Sequence, residues 1–138
     1  MATEKLQLYK CEVCGNLVQV ILSGAGELVC CGQPMQEMIP NTTDASNEKH
    51  VPVVAILDKT VGVSIGVVPH PMTEEHYIQW VYLETDKGGQ LHYLHPNEEP
   101  ETNFALADGE TPLCVYSFCN LHSLWMREID VDRDNQYL

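Results

Sequence analysis

The strongest pattern in the chain is an alternation of apolar and polar residues that recurs from about residue 51 to residue 131. In TVGVSIGVV (60–68) it is unbroken: Val61, Val63, Ile65 and Val67 share one face, as a strand with one buried side requires. Six other short runs read as strands: VPVVAIL (51–57), HYIQWVYLE (76–84), QLHYL (90–94), TNFALA (102–107), PLCVYSFC (112–119) and LWMREIDV (124–131). DKGG (86–89) predicts a hairpin turn between the third and fourth of the seven. No segment of useful length follows the helical period. Seven short strands separated by Pro, Gly and Asn predict an all-β fold, an antiparallel sandwich of immunoglobulin-like type.

The N-terminal part differs. Residues 1–38 offer only two apolar runs, LQLY (6–9) and LVQVIL (17–22), followed by a turn at GAGE (24–27). Such a segment has too few large apolar side chains for a core of its own. It does contain four cysteines, Cys11, Cys14, Cys30 and Cys31, and metal ligation can supply the missing folding free energy. IPNTTDASNEK (39–49) is polar and turn-rich and reads as a linker or crossover. The expected organisation is a metal-binding module at 1–38 and a sandwich at 39–138.

Charge narrows the partners. Among 138 residues there are 20 acids and 7 Lys or Arg, a formal net charge of −13. Nucleic acid is excluded as an expected partner, because phosphate binding needs a basic surface. Glu98, Glu99 and Glu101, and the tail acids Glu128, Asp130, Asp132 and Asp134, read as solvated surface. No apolar run is long enough to span a membrane, and the N-terminus has no apolar signal region, so a cytoplasmic location is expected. An acidic protein repels a small anion at long range. A site that uses one must therefore carry its own local positive charge.

Six cysteines in a cytoplasmic chain point to metal or redox use. Cys11-x-x-Cys14 brings two thiolates to one ion, and Cys30-Cys31 would complete a tetrahedron of zinc or iron. Adjacent cysteines can share an ion only with a strained local backbone. Gly15 and Gly32, each following a cysteine, are expected at positive φ with backbone N–H groups turned toward sulfur. Iron would make this a one-electron centre, and zinc a staple.

A second constellation comprises His50, His70, His76, Cys119 and His122, each at or beside a strand end. Cys119-x-x-His122 is short enough for both side chains to reach one ion, and His70 and His76 flank the loop 71–75. Imidazoles and a thiolate suit iron, copper or zinc. A divalent ion there keeps a net positive charge, and one octahedral position stays open. Lys49 would draw an anion toward such a site, and Glu48 could occupy the vacant position of the oxidised ion. Cys114 reads as a small core residue, and His92 and His95 as structural or solvated.

These segments resemble the desulfoferrodoxins, the two-iron class of superoxide reductase. YKCEVCGN (9–16) with LVCCGQPM (28–35) is similar to the family's desulforedoxin-like module. NEKHVPV (47–53), VPHPMTEEHYIQW (68–80) and FCNLH (118–122) resemble its catalytic motifs. The resemblance implies a distorted tetrahedral iron on Cys11, Cys14, Cys30 and Cys31. It implies a second iron with His50, His70, His76 and His122 equatorial and Cys119 axial, and it assigns Glu48 and Lys49 to the family's glutamate–lysine pair. The implied activity is reduction of superoxide to hydrogen peroxide, with an electron donor such as rubredoxin and a homodimeric assembly. The alternative is an iron electron-transfer protein without turnover. One departure stands at Ser123, where the family usually has glycine. If that position needs positive φ, serine there costs about 1 kcal/mol.

Overall fold

The computed structural model describes residues 3–42, 50–66 and 69–134. The chain separates into two compact units, 1–39 and 40–138.

In the first unit, β1 (Leu8–Lys10) lies between β2 (Leu17–Gln19) and β5 (Gln36–Glu37), antiparallel to both. A separate two-stranded ribbon pairs β3 (Val29–Cys30) with β4 (Gln33–Pro34). Its buried apolar side chains are few, chiefly Tyr9, Cys11 and Val20. The apolar run 17–22 leaves the sheet after Gln19, and Ile21 and Leu22 are exposed. A unit with this little core depends on another source of folding free energy.

The second unit is a seven-stranded sandwich. One sheet has the order β10 (Glu101–Ala105), β7 (Thr60–Ile65), β6 (Pro52–Leu57). The other has the order β12 (Ser123–Glu128), β11 (Pro112–Cys119), β8 (Ile78–Thr85), β9 (Gly88–Tyr93). Every pairing is antiparallel, and the chain changes sheets between β7 and β8, β9 and β10, and β10 and β11. This is the Greek-key connectivity of immunoglobulin-like sandwiches. Val54, Ile56, Val61, Val63, Ile65 and Phe104 from one sheet meet Ile78, Val81, Leu83, Val115 and Cys119 from the other in a single core.

Several local features depart from the expected strands. The turn between β8 and β9 consists of Asp86 and Lys87 alone, so both glycines of DKGG belong to β9. Gly89 is needed there: the Tyr82 ring lies over it, and a Cβ would stand 1.9 Å from the phenol oxygen. The last strand ends at Glu128, and Val131 opens a single helical turn, α1 (Val131–Asp134). The acidic tail is not wholly solvated. Asp134 is buried, accepts from the Arg127 guanidinium at 2.6 Å and also accepts the Asp130 N–H. Cys114 is half-buried outside the core cluster; burial, then the charges of Glu84 and Glu128, push its thiol pKa up. Among the described residues, no helix is long and apolar enough to cross a membrane.

Candidate metal centres

The first cluster is built on two tight turns. Cys11 ends the first strand arm, and its carbonyl accepts the Gly15 N–H while its own N–H donates to Asn16. This loop folds Cys14 back over Cys11. Gly15 (φ +84°) has the positive φ expected of it, but its N–H serves the Cys11 carbonyl. The N–H aimed at the Cys11 sulfur, at 3.4 Å, is that of Cys14. That N–H is the main cause of a Cys11 pKa lowered to about 6.

The adjacent pair is accommodated by the β3–β4 hairpin. Cys31 and Gly32 are its two loop residues, with φ +53° and +76°. Two consecutive positive φ values mark a type I′ hairpin turn, which usually places Asn or Gly where Cys31 stands. The strained backbone anticipated for neighbouring cysteines is thus localised at Cys31. It turns the Cys31 sulfur to within 3.9 Å of Cys30, and Cys30 lies 3.6 Å from Cys14. A tetrahedral ion with metal–sulfur bonds of about 2.3 Å separates its sulfurs by roughly 3.8 Å. The four thiols fit such an ion. Interaction with Cys14, Cys11 and Cys30 pushes the Cys31 thiol up to about 12, the response expected of thiols crowded at one point.

The second cluster lies at one end of the sandwich. His50, His70, His76 and His122 form a closed ring in which each imidazole stands edge-on to the next. Their centroids are 4.6, 4.7, 5.0 and 4.8 Å apart going round, with interplanar angles of 64° to 83°. His50 Nε2 and His122 Nδ1 are 3.0 Å apart, and the Cys119 sulfur is 3.8 Å from His122 Nδ1. One donor atom from each of the five residues lies within 4.8 Å of all the others. Metal–nitrogen bonds of about 2.1 Å place cis donors roughly 3.0 Å apart, so this donor set fits an ion at the ring's centre.

Each ligand-type side chain is placed by a definable local feature. Cys119 ends β11 beside a bulge: Phe118 pairs with Trp80, but Cys119 pairs with Ile78, so Gln79 is the extra residue. The bulge reverses the alternation and turns Ile78 into the core opposite Cys119. Asn120, Leu121 and His122 form a three-residue hairpin loop closed by Ser123 at φ +71°. That is the loop-plus-left-handed-residue hairpin in which glycine is the favoured closing residue. His70 Nδ1 lies 2.7 Å from the Pro71 carbonyl, which leaves Nε2 to face the ring. The His50 carbonyl accepts the hydroxyl of Ser117, a fully buried residue of the central strand β11. His50, His70 and Cys119 are buried and His122 is exposed, so solvent approaches the ring from the His122 side.

His92 and His95 do not join these clusters. His92 stacks on Phe104, with its Nδ1 2.8 Å from the Thr102 hydroxyl oxygen, and His95 is exposed on a loop. Glu48 and Lys49 lie outside the described residues. Two side chains that the sequence did not single out hold the second cluster in place. Asn120 bonds the backbone on both sides of His76, and Trp125 stacks on His50 while donating to the His122 carbonyl. Both sit within or just after the Cys-x-x-His motif, which was their only signal.

A sandwich carrying an imidazole ring over a buried thiol, together with a four-thiol unit, defines a non-haem metalloprotein with two centres. The Desulfoferrodoxin family profile matches residues 42–128, and the profile for the desulfoferrodoxin N-terminal domain matches residues 3–38. A desulfoferrodoxin of Syntrophotalea carbinolica is 50% identical over 125 residues, covering 91% of this chain and 98% of that protein. One from Desulfarculus baarsii is 46% identical, with the same coverage of 91% and 98%. The crystal structure of the superoxide reductase from Treponema pallidum superposes with a TM-score of 0.75 at 34% identity, covering 91% of this chain and 100% of that one. The chain belongs to the desulfoferrodoxin family.

Proposed function

We propose that this chain is a superoxide reductase: superoxide, one electron and two protons give one hydrogen peroxide, without release of oxygen. The observation that carries this reading is the closed ring of four imidazoles with the Cys119 thiol beside it. When bound there, a ferrous ion supplies the one electron the reaction consumes. His50, His70, His76 and His122 would hold it as neutral donors, so the centre would keep the positive charge that an anionic substrate needs in a chain of net charge −13. Cys119 would hold the ion through its thiolate, which would raise electron density on it.

Lys49 draws superoxide toward the centre and favours the developing negative charge of the product, with water near it as the proton source. Glu48 would offer a carboxylate as a further ligand to the oxidised ion. Residues 1–38 form the module that holds a second iron on Cys11, Cys14, Cys30 and Cys31, and residues 39–138 form the catalytic domain. The thiol separations of 3.6 and 3.9 Å support a single ion among these four cysteines. A one-electron donor such as rubredoxin would supply the electron that each turnover consumes. The protein works in the cytoplasm as a homodimer.

Pulse radiolysis of the reduced, iron-loaded protein tests the reading. One peroxide formed per superoxide consumed is the expected result. One peroxide for every two, with oxygen evolved, would mean a dismutase. Oxidation that stops after one electron per centre, even with donor present, would mean a carrier.

A further inference from the structure

Trp125 is buried in β12, and it meets three segments of the chain, at Asn41, His50 and His122. Its indole ring stacks on the imidazole of His50, with centroids 4.5 Å apart and planes within 13°. Its Nε1–H donates to the His122 carbonyl at 2.9 Å. Its backbone forms a bridge with Asn41: the Asn41 N–H donates to Leu124, and the Met126 N–H donates to Asn41, each at 2.9 Å. A tryptophan placed only to fill the core would need none of these directed contacts. Indole N–H groups do seek an acceptor when buried, but many carbonyls could serve. Here the acceptor is the carbonyl of one donor residue, and the stacked ring belongs to another.

We infer that Trp125 is a positioning residue for the imidazole ring, setting the plane of His50 by stacking and the height of the His122 loop by hydrogen bonding. This inference rests on the reading of the ring as an iron centre. The two contacts act on donors that are neighbours in the ring, whose nitrogens lie 3.0 Å apart. Rotation of His50 about its side-chain bonds is blocked by the indole face. The His122 loop closes on Ser123, which is held at positive φ, so this loop has reason to relax if its tether is cut. Partners outside the ligand set that orient ligands typically contribute 10–100-fold to metal affinity.

Two variants separate the contacts. Trp125→Phe keeps a ring against His50 and loses the N–H; Trp125→Leu loses both. Iron affinity is read by chelator competition, and site geometry by the electron paramagnetic resonance of the ferric protein. There the nitrogen-rich ion and the tetrathiolate ion give separate signals. Affinity for the nitrogen-rich ion should fall about tenfold in Trp125→Phe and further in Trp125→Leu, with an altered resonance at that ion and an unchanged tetrathiolate signal. Thermal unfolding of the metal-free proteins tells a folding defect from a positioning one, and if Trp125→Leu does not fold, Trp125→Phe decides. Affinity within twofold of the parent and an unchanged resonance in Trp125→Phe would overturn the inference while leaving the function intact. A parent that takes up no nitrogen-ligated iron would overturn both.

Discussion

The carboxamide of Asn120 grips His76 from both sides: its Oδ1 accepts the Tyr77 N–H at 2.9 Å, and its Nδ2 donates to the Glu75 carbonyl at 3.0 Å. Asn120 lies between Cys119 and His122, so one side chain locks two of the loops that supply the ring. Only an amide offers an acceptor and a donor in this arrangement. Asn120→Asp puts a carboxylate oxygen against the Glu75 carbonyl, and Asn120→Ala removes both bonds. Both should lower iron affinity at the imidazole ring about tenfold, the range for lost orienting partners, with Asn120→Asp at least as impaired as Asn120→Ala. Chelator competition on the iron-loaded variants checks this. The tetrathiolate iron serves as the internal control.

Ser123 adopts the left-handed conformation, at φ +71°, directly after the last histidine of the ring. An L-residue pays roughly 1–2 kcal/mol there, and glycine returns part of the gain through its more flexible unfolded chain. Ser123→Gly should therefore stabilise the sandwich by up to about 1 kcal/mol, a rise of a few degrees in Tm for a domain of this size. Thermal unfolding of the metal-free protein provides the comparison. Because the His122 loop is already closed in this geometry, the iron spectrum should change little. A fall in Tm would mean that the serine side chain contributes more than the backbone strain costs.

What was readable in advance depended on how local its cause was. Val61, Val63 and Ile65 announce a strand because alternation is a property of neighbouring residues, and all three are buried. Cys11-x-x-Cys14 and Cys119-x-x-His122 could be read as donor pairs that reach one ion for the same reason. The bulge at Gln79 was not readable, because it exists only in the pairing of β8 with β11. Asp134 carries no local sign of burial in a run of acids; its environment is made by Arg127, seven residues away in sequence. The spacing of four histidines along the chain does not encode a ring. His50 and His122 meet only because β6 and β11 belong to facing sheets whose ends coincide.

Arg127 and Asp134 make an ion pair that is largely withdrawn from solvent, with Asp134 3% exposed. Asp134 also accepts the Asp130 N–H, and Arg127 reaches the Pro52 carbonyl, so the pair fastens α1 to the first strand of the sandwich. Breaking a buried pair leaves an uncompensated charge and costs about 3–5 kcal/mol. Arg127 retains some solvent contact, so Asp134→Ala should cost less, about 2 kcal/mol. Urea unfolding should show a lower midpoint at an unchanged slope. A midpoint equal to the parent's would show that the tail is detached in solution.

Glu110 links the two loops at the Asp86 end of the sandwich, accepting from the Thr85 hydroxyl at 2.6 Å and from the Ala107 N–H at 3.0 Å. The Thr85 hydrogen bond, followed by that of Ala107, lowers its pKa below the ordinary 4.5. A carboxylate held below its unfolded value adds stability that is fully present above that value. The contribution is lost as pH falls through the lower, folded value. It is therefore constant at neutral pH and disappears in the acid range below about 4.5. In Glu110→Gln, stability between neutral pH and that range should decline less steeply than in the parent. Urea midpoints measured down the acid range give the slopes, and parallel curves would remove Glu110 from the account.

Cys119 and His122 supply donors only to the imidazole ring, and Cys11, Cys14, Cys30 and Cys31 only to the four-thiol cluster. The two sets lie in different compact units. Cys119→Ser replaces a thiol with a weakly acidic hydroxyl and removes the one sulfur donor of this cluster. His122→Ala opens the ring on its solvent-exposed side. Both variants should lose superoxide reduction while keeping the visible absorption of the tetrathiolate iron. Pulse radiolysis and the absorption spectrum of the same samples supply the two readings. Turnover retained in either variant would remove that residue from the catalytic iron, and loss of the tetrathiolate spectrum along with turnover would mean that the two units do not fold independently.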